Sequence, residues 1–323
     1  MKVYVPNYSG HAGHWIYKGY QNAWKELGYD MAYLEAALEA TANRPDTTVA
    51  APFPSTEEAM SEEYIIMTVD GAVDSHPDFF ESIERSYKTF VIAQPNSFPD
   101  PWGQHTNFIS LCSDASIKIL NEMDNVYLWA FGEVGEHHEK WKKVHTVPLA
   151  FDSISYKPTI NEAYKKYDIS FVGGWADNGF NEKRKIMIDV FSKFMKSGLN
   201  CGFFVGKNLT HQQECEVLHN SKLTLNIHDA YQRTLGLDTN ERTFKSLGLN
   251  GLIVSDTIRQ LNDIFPNLKT SLDSDELVQI TKDYLSLTEK ELNEIKEENR
   301  QNILDNHCYT NRVQQLLDLP GSK

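Results

Sequence analysis

Asn240–Asp256 reads NERTFKSLGLNGLIVSD, and this stretch decides the fold. Glu241–Leu249 has the pattern of a short helix. Phe244 and Leu247 lie three apart and form its buried face. Thr239 or Asn240 can cap it, Gly251 ends it, and LIVSD follows as a short apolar strand. One feature cuts against the helix dipole: Arg242 stands in the first turn, where a cation is disfavoured. Lys245, three residues on, shares its face. An anion at this helix start would compensate, and the planar guanidinium fork of Arg242 suits a diphosphate.

Outward from this stretch the same alternation continues. DISFVGG is a strand running into glycines, NEKRKIMIDVFSKFMKSG an amphipathic helix closed by Gly198, and NCGFFVG a strand. HQQECEVLHNS follows as a helix and KLTLNIH as a strand; from DELVQITKDYL to LLDL the chain is almost wholly helical. The first half offers KVYVP, YIIMTVD, TFVIAQP and NFISLC as strands. SDASIKILNEM reads as a helix capped by Ser113 or Asp114. Between KVYVP and the first helix lies a Gly/His-rich loop, NYSGHAGHW. Residues 41–62 form a long Pro/Thr/Ala-rich loop, and HTVPLAFDSISYKP (His145–Pro158) has the look of a linker. The expected class is α/β, with two Rossmann-like domains and a helical C-terminus. The expected boundaries are 1–147, 148–305 and a terminal helix, 306–323, that crosses back to the first domain. Ligands are expected in a central cleft between the domains, at the carboxyl ends of the strands.

The 323-residue length suits two domains of ordinary size. With 41% apolar and 24% charged residues the composition is globular. No apolar run approaches the roughly 20 residues that span a bilayer, and the N-terminus lacks a signal-peptide core. The reading is a cytoplasmic protein, in the host cytoplasm if phage-encoded. Cys112, Cys201, Cys215 and Cys308 form no CxxC pair and read as reduced, mostly buried thiols. The net charge of −14 is uneven: residues 1–150 carry −11 and the rest −3. An acidic first half disfavours wrapping a polyphosphate backbone.

Several further residues fall at predicted strand ends. Gly173 and Gly174 close a strand and let backbone amides approach a phosphate, with Arg184 in the helix that follows. Lys207 follows FFVG, and His228 ends the strand LNIH. DSD at Asp273–Asp275 precedes a helix and reads as capping rather than metal binding. His137, His138 and Glu139 are adjacent in sequence, not on one helix face, so they form no metal site. Walker A, GxSxG and HExxH patterns are all lacking.

RTFKSLGLNGLIVSD and HCYTNR together resemble the spore-maturation-type glycosyltransferases, with His307, Tyr309 and Arg312 matching the terminal motif and Cys308 replacing its threonine. The Gly173-Gly174 strand end, Arg184, GLNCGFFVG and the Arg242–Lys245 helix resemble the bacteriophage DNA β-glucosyltransferase. Both belong to the GT-B glycosyltransferases, and the likeness covers roughly residues 145–318. It implies a nucleoside-diphosphate sugar donor, most simply a UDP-sugar, bound near Gly173, Gly174, Arg184 and Arg242, with no cofactor or metal required. Lys245 stands where the family has a glutamate that holds the ribose. That departure weakly favours inversion. An inverting enzyme needs a base from the first domain; the candidates are His14, Asp70 and Asp100, with Trp15 and Trp102 as an acceptor wall. The acceptor is either a 5-hydroxymethylated pyrimidine in DNA, flipped out of the stack, or a glycan or small molecule. A non-catalytic nucleotide-sugar-binding protein and an epimerase on the same fold are the competing readings.

Overall fold

The computed structural model describes residues 1–6, 11–34, 63–75, 79–104, 109–175, 182–207 and 209–320. The long loop expected at 41–62 lies outside them. The chain divides into two compact units: Met1–Pro148 with Tyr309–Lys323, and Leu149–Cys308.

The first unit is built on β1 (Lys2–Pro6), β2 (Asp30–Leu34), β3 (Tyr64–Val69), β4 (Lys88–Ile92), β5 (Val126–Ala130) and β6 (His145–Thr146). They form one sheet in the order β2-β1-β3-β4-β5-β6, parallel throughout. Helices α1 (His11–Glu26), α2 (Phe79–Arg85) and α3 (Asp114–Glu122) connect strands. A parallel sheet is covered on both faces, so its inner strands read as continuous apolar runs. YIIMTV is buried at every position, and KTFVI at all but its first.

Two local expectations change, and one choice is decided. His14 lies within α1, not in a loop, because the helix begins at His11. The described part of NFISLC, Ile109–Cys112, forms no strand; Leu111 is 47% exposed and so lacks the two-sided burial a central strand needs. VYLWA takes that place in the sheet instead, as β5. Ser113 is the cap of α3, its side chain accepting from the Ser116 amide.

The second unit carries β7 (Ile169–Gly173), β8 (Cys201–Val205), β9 (Leu223–Asn226) and β10 (Ile253–Ser255). Their order is β10-β9-β7-β8, again parallel. Its helices are α4 (Lys183–Lys196), α5 (His211–Asn220), α6 (Ala230–Leu235), α7 (Glu241–Asn250), α8 (Arg259–Ile264), α9 (Ser274–Leu285) and α10 (Glu289–Asn306). Asn240 caps α7, its side chain accepting from the Thr243 amide. Asp273 caps α9 in the same way, so DSD is a helix start. Thr288 and Glu291 close a capping box on α10.

The last helix, α11 (Tyr309–Leu317), belongs to the first unit. Its Arg312 Nε donates to the Pro148 carbonyl at 2.8 Å, and Lys88 Nζ donates to the Leu317 carbonyl at 2.8 Å. Gly19 in α1 is a glycine because a Cβ there would run into the Tyr309 ring.

Candidate functional site

In an open parallel sheet the ligand position is the point where the chain reverses direction across the sheet, at the carboxyl ends of the strands. In the second unit the chain runs from β7 out to β8 and then returns to β9 on the other side. The reversal therefore falls between β7 and β9.

Arg242 occupies that position. Its Nε donates to the Val172 carbonyl at the end of β7, at 3.0 Å, and its Nη1 to the Ile227 carbonyl just beyond β9, at 3.4 Å. Its guanidinium lies over the Phe171 ring, 4.7 Å from the centroid. The strand-end glycine makes room for it: a Cβ on Gly173 would sit 2.5 Å from Arg242 Nη2. Burial lowers the Arg242 pKa, against the opposing pull of Glu241, Asp229, Glu214 and Asp256.

The second cation is Lys183, the first residue of α4. It is buried, and its Nζ pairs with Asp229 Oδ1 at 2.6 Å. Burial lowers its pKa; Asp229 opposes that shift and Arg242 adds to it. Arg184, the residue expected from the sequence, is exposed and lies over the exposed Trp175 ring, 5.3 Å from the centroid. The periodicity of α4 carries the signal that separates the two. Lys183, Met187, Val190 and Phe194 fall on one helical stripe, and all four are buried.

Lys245 and His228 are not placed as the sequence suggests. Lys245 Nζ pairs with Glu214 Oε1 at 2.7 Å and with Glu241 Oε2 at 3.3 Å, and lies over Tyr156. Burial works against its charge, but Glu241 and Glu214 outweigh it and the pKa is raised. The charge of Lys245 is met by the protein's own carboxylates, so no ligand is needed to explain it. His228 is fully buried. Its Nδ1 lies 2.5 Å from Asp256 Oδ1 and its Nε2 2.8 Å from Thr239 Oγ1. Both ring nitrogens are thus occupied within the protein, which leaves none to meet a nucleotide or sugar. Glu214, Asp229 and Asp256 escaped the sequence reading, because pairing across elements leaves no local pattern; Glu241 escaped it too, although it stands one turn before Lys245 on α7.

Lys207 is exposed, just past β8 and Gly206. Gly174 is exposed, with open space where a Cβ would stand.

In the first unit the reversal falls between β1 and β3, and Asp70 directly follows β3. It is buried, its Oδ1 accepting from the Gly71 amide at 2.7 Å and its Oδ2 from the Gln94 amide at 3.3 Å. Burial pushes its pKa up to about 6, against the hydrogen bonds from Ser110, Gly71 and Gln94. Asp100, on the loop that leaves β4, is exposed and accepts from Gln104 Nε2 at 3.0 Å. His14 packs edge-on to Trp15, with ring centroids 4.9 Å apart, and Trp102 is buried. No helix among the described residues is long and apolar enough to cross a membrane.

The fold defined by these two parallel sheets is that of the GT-B glycosyltransferases. An alpha-glucosyltransferase in complex with UDP and a 13-mer DNA containing a central A:G mismatch is similar at TM-score 0.57 and 12% identity, over 98% of this chain and 99% of that one. An E. coli structure, described as trehalose-6-phosphate bound with UDP-2-fluoro glucose, is similar at TM-score 0.57 and 8% identity, over 99% and 100%. The N-terminal domain of Candida albicans trehalose-6-phosphate phosphatase is similar at 0.53 and 10%, over 98% and 95%. No curated protein matches the chain. Residues 160–318 match the family described as "Glycosyl transferase-like", so this part of the chain is a glycosyltransferase-like domain on that fold.

Proposed function

We propose that the chain moves a sugar from a UDP-sugar to an acceptor hydroxyl, with inversion and without a metal. One observation carries the donor reading: Arg242 is held at the reversal point of a parallel sheet, against Gly173, with Lys183 buried nearby. The Arg242 guanidinium beside a strand-end glycine, with the Lys183–Asp229 pair next to it, suits a diphosphate, and it would stabilise the charge that develops as the diphosphate departs. The UDP and UDP-sugar described for two structures of the same fold support the same donor.

Asp100 is the best-placed base of the three candidates. Its carboxylate is exposed on a loop at the carboxyl edge of its sheet, whereas both oxygens of Asp70 already serve backbone amides. The base takes the acceptor proton as the new glycosidic bond forms. The acceptor proposed first is a 5-hydroxymethylated pyrimidine in DNA, supported by the DNA described with one similar structure. The −11 charge of residues 1–150 favours the second reading, a glycan or small acceptor.

The deciding measurement is calorimetric titration with UDP of the wild type and of Arg242→Ala. We expect wild-type binding and a loss of at least tenfold in the variant, about 1.4 kcal/mol. Equal affinity in the two proteins refutes the donor site. Incubation with UDP-sugars and either hydroxymethylated DNA or glycans then separates the acceptor readings, and the anomeric configuration of the product reads the stereochemistry. Asp100→Asn should abolish transfer while leaving UDP affinity unchanged.

A further inference from the structure

Beneath the start of α7 runs a chain of six fully buried polar side chains: Asn226, Ser255, Asp256, His228, Thr239 and Thr243, none more than 1% exposed. Six polar groups in a dry interior are costly unless each is hydrogen-bonded. Here they are bonded to one another. Asp256 receives the His228 amide at 3.0 and 3.2 Å, and the ring Nδ1 at 2.5 Å. His228 Nε2 meets Thr239 Oγ1 at 2.8 Å, and Thr239 Oγ1 meets Thr243 Oγ1 at 2.6 Å. Asn226 Nδ2 donates to Thr243 Oγ1 at 2.9 Å and to Ser255 Oγ at 3.2 Å.

With the histidine proton on Nδ1, every donor in the chain points the same way. Asn226 gives to Thr243, Thr243 to Thr239, Thr239 to Nε2, and Nδ1 to Asp256. Burial raises the Asp256 pKa, but the His228 ring and amide, with Arg233 Nε 3.5 Å from Oδ2, keep it below the usual carboxylate value.

The chain joins three pieces of backbone: the ends of β9 and β10 and the first turn of α7. Arg242 stands between Thr239 and Thr243 in that turn, and one of its two carbonyl anchors belongs to Ile227, next to His228. Those two carbonyls hold its Nε and Nη1.

We propose that the Asp256–His228–Thr239–Thr243 relay is a positioning device for Arg242, setting the orientation in which its guanidinium grips the donor's diphosphate. This rests on the donor site proposed above. The relay residues touch no ligand; they act through Arg242.

The test is UDP affinity by calorimetry in four proteins that melt above the assay temperature: wild type, Thr239→Val, Arg242→Lys and the double variant. Valine keeps the shape of threonine and removes the hydroxyl that links His228 to Thr243. We expect Thr239→Val to weaken UDP about tenfold in the wild-type background and less than twofold in the Arg242→Lys background, because coupled residues are non-additive. Thr239→Ser, which restores the hydroxyl, should bind within twofold of wild type. His228→Asn keeps a donor toward Asp256 and loses the Nε2 link; it serves if Thr239→Val does not fold, with the same expectation. Unchanged UDP affinity in the folded relay variants overturns the relay and leaves the donor site standing. Equal weakening in both backgrounds also overturns it, as a general loss of structure would do that. No UDP binding by wild type ends the donor reading and this inference together.

Discussion

Lys245 shows how a single residue can be misread in sequence and explained by burial. The family resemblance in the sequence implies a glutamate at this position, and a lysine there looks like a lost ligand contact or a second cation for an anion. Packed between Glu214 and Glu241 with 7% of its surface exposed, it is the counter-ion of two carboxylates. Removing one member of a buried ionic cluster leaves uncompensated charge, at a cost of roughly 3–5 kcal/mol. Lys245→Ala should lower the unfolding free energy by about 3 kcal/mol in urea denaturation, and Lys245→Glu by more, because it crowds three carboxylates together. A change under 1 kcal/mol for both would mean the cluster is solvated. Asp70 gives a pH test at the same scale. Its folded pKa, about 6, lies above the ordinary aspartate value of 3.8, so the folded state holds its proton more tightly than the unfolded chain. Its contribution to stability is therefore fullest below pH ~4, falls as pH rises toward 6, and is flat above. The stability difference between wild type and Asp70→Asn should shift against the wild type by about 2 kcal/mol between pH 4 and 7. A pH-independent difference would mean that Asp70 titrates normally.

At the scale of elements, the parts legible in sequence are those whose pattern is local. YIIMTV and TFVI are apolar on both faces, and parallel strands demand that. Thr288 with Glu291, and Asp273 ahead of α9, announce helix starts through side chains that reach only three residues. NFISLC and VYLWA have much the same composition, yet the described part of the first, Ile109–Cys112, forms no strand and the second does. The difference lies in a partner: β5 pairs with β4 on one side and β6 on the other, and a non-local partner leaves no trace in a short window. The end of α7 was legible for a local reason too. Gly251 has φ +87°, a left-handed conformation that a side chain resists, and a Cβ there would run into the Lys296 carbonyl of α10. Backbone cannot step aside as a flexible side chain can. Gly251→Ala should cost more than the roughly 1 kcal/mol of the conformational penalty alone, and about 2 kcal/mol or more in urea denaturation. A cost below 0.5 kcal/mol would show that α10 is free to move away from this turn.

Across the whole molecule, what could be read from sequence is the repeated strand–helix alternation, which fixes two parallel sheets. What could not be read is which cations face inward. Arg184 looks the better ligand on paper, and Lys183 is the one buried beside Arg242, because only the packed stripe Lys183–Met187–Val190–Phe194 distinguishes neighbours one residue apart. The C-terminus differs: the sequence reading expects a terminal helix that crosses back, and the helix Tyr309–Leu317 groups with the first unit. That helix completes the first unit's core from the far end of the chain. Val313 and Leu316 are fully buried and Tyr309 is 3% exposed; Tyr309 packs on Tyr20 with ring centroids 4.8 Å apart. Burying each such side chain is worth roughly 1.5–3 kcal/mol. Three of them rival the about 5–15 kcal/mol that holds a whole domain folded. A chain ending at Cys308 should therefore lose the cooperative unfolding of its first unit. Tryptophan fluorescence reads this directly, since Trp15, Trp24, Trp102, Trp129 and Trp141 lie in the first unit and Trp175 alone in the second. The expected result is a red-shifted spectrum in buffer with no sigmoidal transition in urea. A native-like spectrum with a transition near the full-length midpoint would mean that the first unit closes its core without the last helix.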